Sequence, residues 1–233
     1  MINPYQHDTA KWFIDFDAAR RWFEKQSVVI VGSAPSVLKN KPGFIDSHDV
    51  VVRVNNYKLL NATGHRVDVH YSYYGNAIRK TPDELWKDGV QLCMCKCPDG
   101  KPIESEWHER NRKQAGIDFR YIYTLRRNFW FCPTFVPTKE HFLIAFELLD
   151  RHIPTTGFSA IHDVLQLAPR SLHLTGFDFF TSGLHNVDEP WQRGRDDDPI
   201  RHMPQRELNF IRGWMRAGLL TVDDHMKNLM GVG

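Results

Sequence analysis

The sequence predicts an α/β fold in which a mainly parallel, twisted sheet is flanked by helices. Three observations carry this. Short aliphatic runs alternate with segments of helical spacing, the pattern that builds parallel sheets from strand, helix and strand. The strongest run, Val28 to Val31, breaks directly into Gly-Ser-Ala-Pro-Ser, as a buried strand does on entering a tight turn. A length of 233 residues suits one such domain with a full core better than two.

Taken in order, residues 12–25 set Trp12, Phe13, Phe16, Ala19, Trp22 and Phe23 at helical spacing, with Asp15 and Asp17 suited to a first turn, so an amphipathic helix is expected there. Residues 27–31 form the first strand of the sheet. About a helix's length later DVVVRVN (49–55) gives a second, and VDVHYSYY (67–74) alternates as a third. VQLCMC (90–95) and RYIYTL (120–125) read as further strands. Beyond an aromatic, Pro-containing passage, HFLIAFELLDR (141–151) and TTGFSAIHDVLQLA (155–168) are helical, and SLHLTGFDF (171–179) is a strand running into a loop. A charged segment (185–202) reads as a long flexible loop of the kind that carries function, and a terminal helix follows over 204–215. The whole chain, 1–233, is read as one domain with a mainly parallel, doubly wound sheet.

A net charge of +2 is too mild for a nucleic-acid binder, which needs a concentrated basic face, and remains compatible with a small anionic substrate. No stretch reaches the roughly 18 apolar residues of a membrane span, and MINPYQHDTAKW lacks the order of a secretory signal. Three of the four cysteines stand together in CMCKC, unlike a disulfide framework. A soluble, cytoplasmic protein is expected, peripheral to a membrane at most.

In an α/β sheet ligands bind beyond the carboxyl ends of the strands, so Gly32, Ser33 and Ser36 after one strand and Asn55 after the next fall on one rim. Gly32 permits close backbone approach, the two hydroxyls suit phosphate or ribose, and the Asn55 amide suits a sugar or base edge. An ordinary strand-to-helix turn explains GSAPS equally well when taken alone. Neither G-x-G-x-x-G nor a P-loop lysine is present, which argues against dinucleotides and triphosphates.

Here the segment IVGSAPSVLKNKPGFIDSHDVVVRVNNYKLLNATGHRVDVHY resembles the large sialyl motif of glycosyltransferase family 29, with IDSHDVVVRVN close to word for word. IPTTGFSAIHDVLQLAPRSLHLTGFDF resembles the small sialyl motif, and RHMPQRE the very small one, a His with a Glu five positions on. GSAPS is also similar to the GNGPS turn of the bacterial sialyltransferases of family 42. The resemblance implies a sialyltransferase with a single Rossmann-like domain of GT-A type: inverting, metal-independent transfer from CMP-sialic acid to a glycan or glycolipid hydroxyl, with the CMP-sugar as co-substrate and no cofactor. It further implies that Ser33 stands where the family has a CMP-contacting Asn, that Asn55 binds nucleotide, and that Thr155, Thr156 and Gly157 contact the donor. His202 would be the general base, and His185 the histidine near the donor phosphate. Val28 and Pro169 stand where animal members carry a disulfide pair, in keeping with a cytoplasmic enzyme.

The chemistry suits these residue types. Attack on a ketosidic carbon needs a group to take the acceptor's proton, and an imidazole is fitted to that. Pro204 two residues on suggests that a helix begins there, its positive end favouring a neutral base at His202. Glu207 is read either as support for the reaction or as a carboxylate favoured by the helix dipole, and His185 either as a phosphate partner or as a surface residue. Asp49 and Arg53 read as an ion pair flanking a strand, and Gly64, Arg66 and Asp68 as structural.

Other readings stand beside this one. CMP-Kdo or another CMP-activated ulosonic acid is an alternative donor, because Ser33 shortens the reach that Asn has. Asp196, Asp197 and Asp198 contain the Asp-x-Asp spacing of metal-dependent transferases, although a solvated acidic loop explains them too. Cys93, Cys95 and Cys97 with Cys132 could ligate zinc, but C-x-C-x-C along a strand is poor tetrahedral geometry and core packing is favoured. Arg126 and Arg127 before Phe129, Trp130 and Phe131 suit an anionic glycolipid or membrane surface, or a basic rim over a core. A nucleotide- or glycan-binding module without catalysis is the remaining alternative.

Overall fold

The computed structural model describes residues 13–74, 80–96, 132–181 and 202–232, together with the backbone of 184–185 and 189–190. Among these, strands β1 (Phe13–Ile14), β2 (Ser27–Val31), β3 (Val50–Val54), β4 (Val69–Ser72), β5 (Leu92–Cys95), β6 (Thr134–Phe135), β7 (Ser171–Thr175) and β10 (Thr221–Val222) form one eight-stranded sheet. Every pairing in it is parallel, and the order is β1-β6-β5-β4-β3-β2-β7-β10. β8 (Leu184–His185) and β9 (Glu189–Pro190) make a separate antiparallel pair.

The helices are α1 (Phe16–Phe23), α2 (Pro82–Lys87), α3 (Lys139–Leu148), α4 (Thr156–Gln166), α5 (Pro204–Arg216) and α6 (Asp224–Met230). Their starts are written in the sequence: Asp15, Thr81, Thr138, Thr155 and Asp223 each accept from a backbone N–H of the first turn. The period of two along β2 splits its side chains between two layers. Val28 and Ile30 join a core with residues of α1, α4, α5 and α6, whereas Val29 and Val31 pack with Val37 and Ile45 on the opposite face.

Four expectations are corrected. The helix expected over 12–25 is shorter, because Phe13 and Ile14 pair with Thr134 and Phe135 as an edge strand and Asp15 caps α1 by accepting from Ala18. The run at 27–31 is therefore the second strand in the chain and central in the sheet. The stretch after GSAPS forms two short 3-10 helices, Pro35–Lys39 and Ile45–Ser47, divided by Pro42 and by Gly43 at φ +80°. The chain also continues beyond α5 into β10 and α6. The expected strand at 120–125 lies outside the described residues.

No helix among the described residues is long and apolar enough to cross a membrane. Cys93, Cys95 and Cys132 are buried free thiols in a core with Tyr57, Tyr74 and Leu85, and the Cys132 thiol donates to Cys93 Sγ at 3.4 Å. Cys97 lies outside the described residues.

Candidate active site

Strand order locates the crevice. From β2 the chain steps outward through β3, β4 and β5, then returns to add β7 on the other side of β2. The direction of the sheet thus reverses between β2 and β7, and a ligand in such a sheet sits beyond the carboxyl ends of those strands. Gly32 follows β2 and Gly176 follows β7.

These two turns touch backbone to backbone. Gly32 N donates to Thr175 O and Ala34 N to Gly176 O, both at 2.9 Å. A Cβ on Gly32 would stand 2.2 Å from the Gly176 carbonyl oxygen. The close approach that Gly32 permits is therefore to the neighbouring turn as well as to any ligand. Replacing Gly32 by Ala should cost about 1–3 kcal/mol of stability through backbone displacement. Urea unfolding measures this, and a midpoint equal to wild type would contradict the packing described. A Cβ on Gly157, in the first turn of α4, would meet the Phe177 ring at 2.8 Å, and one on Gly32 would meet the same ring at 3.1 Å. Phe177 thus fills the space between the β2 turn and the N-terminus of α4.

Ser33 is half-buried and lines an open recess with Gly32, Arg53, Asn56, Tyr57 and Lys58. Arg53 is only 1 % exposed, and its Nε and Nη2 donate to the carbonyls of Arg66 and Thr63 at 2.8 and 2.6 Å. It makes no ion pair among the described residues. Burial brings its guanidinium down to about 10, so it remains cationic at neutral pH and favours an anion in the recess. The expected Asp49–Arg53 pair is corrected by this arrangement. Asp49 instead accepts from the N–H and hydroxyl of Ser27, both at 2.8 Å, and pairs with Arg170 at 3.0 Å. Arg66 donates to the carbonyls of Asp46, His48 and Asp49 and pairs with Asp68, while the Asp46 carboxylate approaches Gly64 too closely for a Cβ there.

Ser36 lies within the first 3-10 helix, and its Oγ is buried without a hydrogen-bond partner. Asn55 has a left-handed backbone, φ +53°, at the end of β3. Its Oδ1 accepts from Ser72 Oγ at 3.1 Å, so the NH2 side of the amide is what it can offer a ligand.

Two further contacts bring distant segments to this rim. Glu207, in the first turn of α5 and 0 % exposed, accepts from both Thr155 N and Thr155 Oγ1 at 2.7 Å. Thr155 Oγ1 in turn accepts from Phe158 N and caps α4. His202, just before α5, donates from Nδ1 to the Ile153 carbonyl at 2.6 Å. Because a carbonyl only accepts, Nδ1 carries the proton and the neutral ring has its lone pair on Nε2. The helix beginning at Pro204 is the one expected from the sequence.

No protein-family model matches the sequence, and no curated protein matches it. Solved structures do match. A mammalian sialyltransferase in complex with Gal-beta-1-3GalNAc-ortho-nitrophenol is similar at 18 % identity and TM-score 0.56, over 88 % of this chain and 71 % of that one. The monofunctional alpha-2,3-sialyltransferase Cst-I from Campylobacter jejuni is similar at 15 % identity and TM-score 0.56, over 86 % and 77 %. CstII from Campylobacter jejuni, solved with the substrate analogue CMP-3FNeuAc, gives 15 % and 0.54 over 84 % and 81 %. The chain has a sialyltransferase fold.

Within this sialyltransferase fold several residues at the rim went unread in the sequence. Phe177 and Ile153 are apolar and carried no chemical signal. Asp223 caps α6 and also accepts from Thr175 Oγ1 at 2.9 Å and Gly176 N at 3.1 Å, which fixes the β7 turn. Its signal was present, an Asp before Met226 and Met230 spaced four apart, with Gly231 ending the helix in the left-handed conformation. Burial pushes the Glu207 carboxyl up, and the charge of Lys96, buried just after β5, acts weakly against that. His185 sits in β8 opposite Glu189, but its side chain lies outside the described residues. So do Asp196, Asp197, Asp198, Arg126, Arg127 and Phe129 to Phe131.

Proposed function

We propose that the chain is an inverting glycosyltransferase that moves sialic acid from CMP-sialic acid to a glycan hydroxyl, with no metal taking part in the transfer. One observation carries the reading: three segments that resemble sialyl motifs, far apart in sequence, meet at one rim. Gly32 and Gly176 meet backbone to backbone, Phe177 joins them to Gly157, and Thr155 and Ile153 are held by Glu207 and His202. We read residues 1–233 as one catalytic domain of GT-A type.

In this reading Nε2 of His202 takes the proton of the acceptor hydroxyl as its oxygen bonds to the ketosidic carbon. The bond from that carbon to the CMP phosphate oxygen breaks, and the departing CMP keeps the electron pair as phosphate charge. The first-turn N–H groups of α4 at Thr156 and Gly157 form a positive helix end suited to that charge, and the cationic Arg53 favours an anion in the recess beside Ser33. A ribose or phosphate oxygen would also satisfy Ser36 Oγ, a buried hydroxyl whose lack of a partner costs about 1–3 kcal/mol.

Calorimetric titration of CMP, UMP and GMP into the protein tests the nucleotide assignment. CMP should bind, UMP and GMP should bind more weakly, and Ser36→Ala should weaken CMP. Equal affinity for the three nucleotides, or none for CMP, would contradict the reading.

A further inference from the structure

The largest cluster of metal-ligating groups among the described residues lies away from the crevice. His141 comes from the first turn of α3, and His162 and Asp163 are consecutive in α4. One nitrogen from each ring and a carboxylate oxygen all lie within 4.8 Å of one another. His141 Nε2 is 2.9 Å and His162 Nδ1 3.2 Å from the same oxygen, Asp163 Oδ1.

We propose that His141, His162 and Asp163 bind a divalent ion of the zinc type that fastens α3 to α4. Ligand atoms around a tetrahedral zinc ion with bonds of about 2.0–2.1 Å stand about 3.3 Å apart, so the spacings to Asp163 Oδ1 change by a few tenths of an ångström, and the two ring nitrogens, within 4.8 Å of each other, draw together by up to about 1.5 Å. Tyr71 Oη donates to the other oxygen, Asp163 Oδ2, at 2.6 Å, which orients the carboxylate with Oδ1 toward the two rings. Two imidazoles and one carboxylate suit zinc and its neighbours in the first transition row, whereas calcium and magnesium favour oxygen alone.

Burial supports the same assignment. Asp163 is 4 % and His162 2 % exposed, and a carboxylate so enclosed needs a positive partner, which a protonated His141 at 2.9 Å supplies without metal and a bound cation would supply in its place. The His141 side chain is 16 % exposed, which leaves an approach from solvent. Phe16 and Phe135 pack on the His141 ring and Trp214 on that of His162, so the rings are already held in place. Asp163 is eight residues along the chain from Thr155, about 12 Å at the helical rise, so none of the three ligands is one of the residues read as contacting donor. The site stands whichever donor the crevice takes.

The test loads the chelator-stripped full chain with Co(II), then with Zn(II). Expected are one equivalent per chain by plasma mass spectrometry, visible bands of four- or five-coordinate cobalt without a thiolate charge-transfer band, and a raised Tm in zinc. Tyr71→Phe should weaken cobalt roughly tenfold. His141→Gln, at the most exposed ligand, should remove the visible bands, while Cys93→Ser with Cys132→Ser should keep them. A substoichiometric wild type, a thiolate band, or bands unchanged in His141→Gln would each overturn the proposal.

Discussion

Replacement of His202 by Ala is expected to lower kcat by about 10²- to 10⁴-fold, the usual contribution of a positioned general base, while CMP affinity stays at the wild-type value. The split follows from geometry. His202 Nδ1 donates to the Ile153 carbonyl, a bond that orients the ring and makes Nε2 the basic atom of the neutral tautomer. The residues read as nucleotide contacts, Ser33, Ser36 and Asn55, stand on other elements. Loss of the bond to the Ile153 carbonyl should cost about 1 kcal/mol of stability, and thermal unfolding of the variant checks that it is folded. Turnover of the purified variant with saturating donor, beside CMP calorimetry, checks both halves. Unchanged kcat would remove His202 from the role of base, and a parallel loss of CMP affinity would make it a binding residue instead.

Replacement of Glu207 by Ala should cost roughly 2–4 kcal/mol, because it leaves the N–H and hydroxyl of Thr155 without acceptors in a buried space and opens a cavity. Activity should fall with it, since Thr155 caps the helix whose first turn faces the proposed donor. The carboxylate also gives the fold a pH dependence of defined sign. Burial pushes the Glu207 carboxyl up to about 7 from an ordinary 4.5, against the opposing effect of its Thr155 bonds. A group raised on folding contributes fully below its unfolded value and loses that contribution as pH rises through the folded value. Between about pH 4.5 and 7, stability should therefore decline by an amount on the order of 3 kcal/mol from this residue. Glu207→Gln retains an acceptor for Thr155 N and should flatten that slope. Urea unfolding of wild type and both variants at several pH values within this window is the measurement. An equal slope in wild type and Glu207→Gln would show that Glu207 does not titrate in it.

Glu207 also marks the limit of what the sequence discloses. Its position in a first turn is legible, and the dipole reading follows from that alone. Its burial and its contact with Thr155 are not, because the two residues are 52 positions apart and only packing of α5 against α4 brings them together. Arg53 failed for a related reason. As a charge four residues from Asp49 it invited pairing, yet in a strand such residues share a face without touching, and the guanidinium turned to carbonyls of the next loop.

The strands β2, β3, β4, β5 and β7 were readable because β-branched and aliphatic runs mark a buried parallel sheet. The short strands β1 and β10 were not, since two residues define no period. Phe13 and Ile14 fit the helical spacing of the residues after them, and only the Asp15 cap decides where the helix begins. The rim itself was legible in outline, as Gly32, Asn55, Thr155 and His202 come to the ends of neighbouring elements. The backbone contact of Gly32 with Gly176 was hidden, because it depends on β7 returning beside β2.

The most direct measurement of the central claim is transfer itself. The chain is incubated with CMP-Neu5Ac and, separately, with CMP-Kdo, each with and without Gal-β1,3-GalNAc and EDTA, and CMP release and the mass of the acceptor are followed. The predicted result is CMP release from CMP-Neu5Ac, an acceptor heavier by one sialyl residue, and no loss of initial rate in EDTA. Release from CMP-Kdo alone would replace the sugar in this account, and the absence of CMP release from either donor would contradict it.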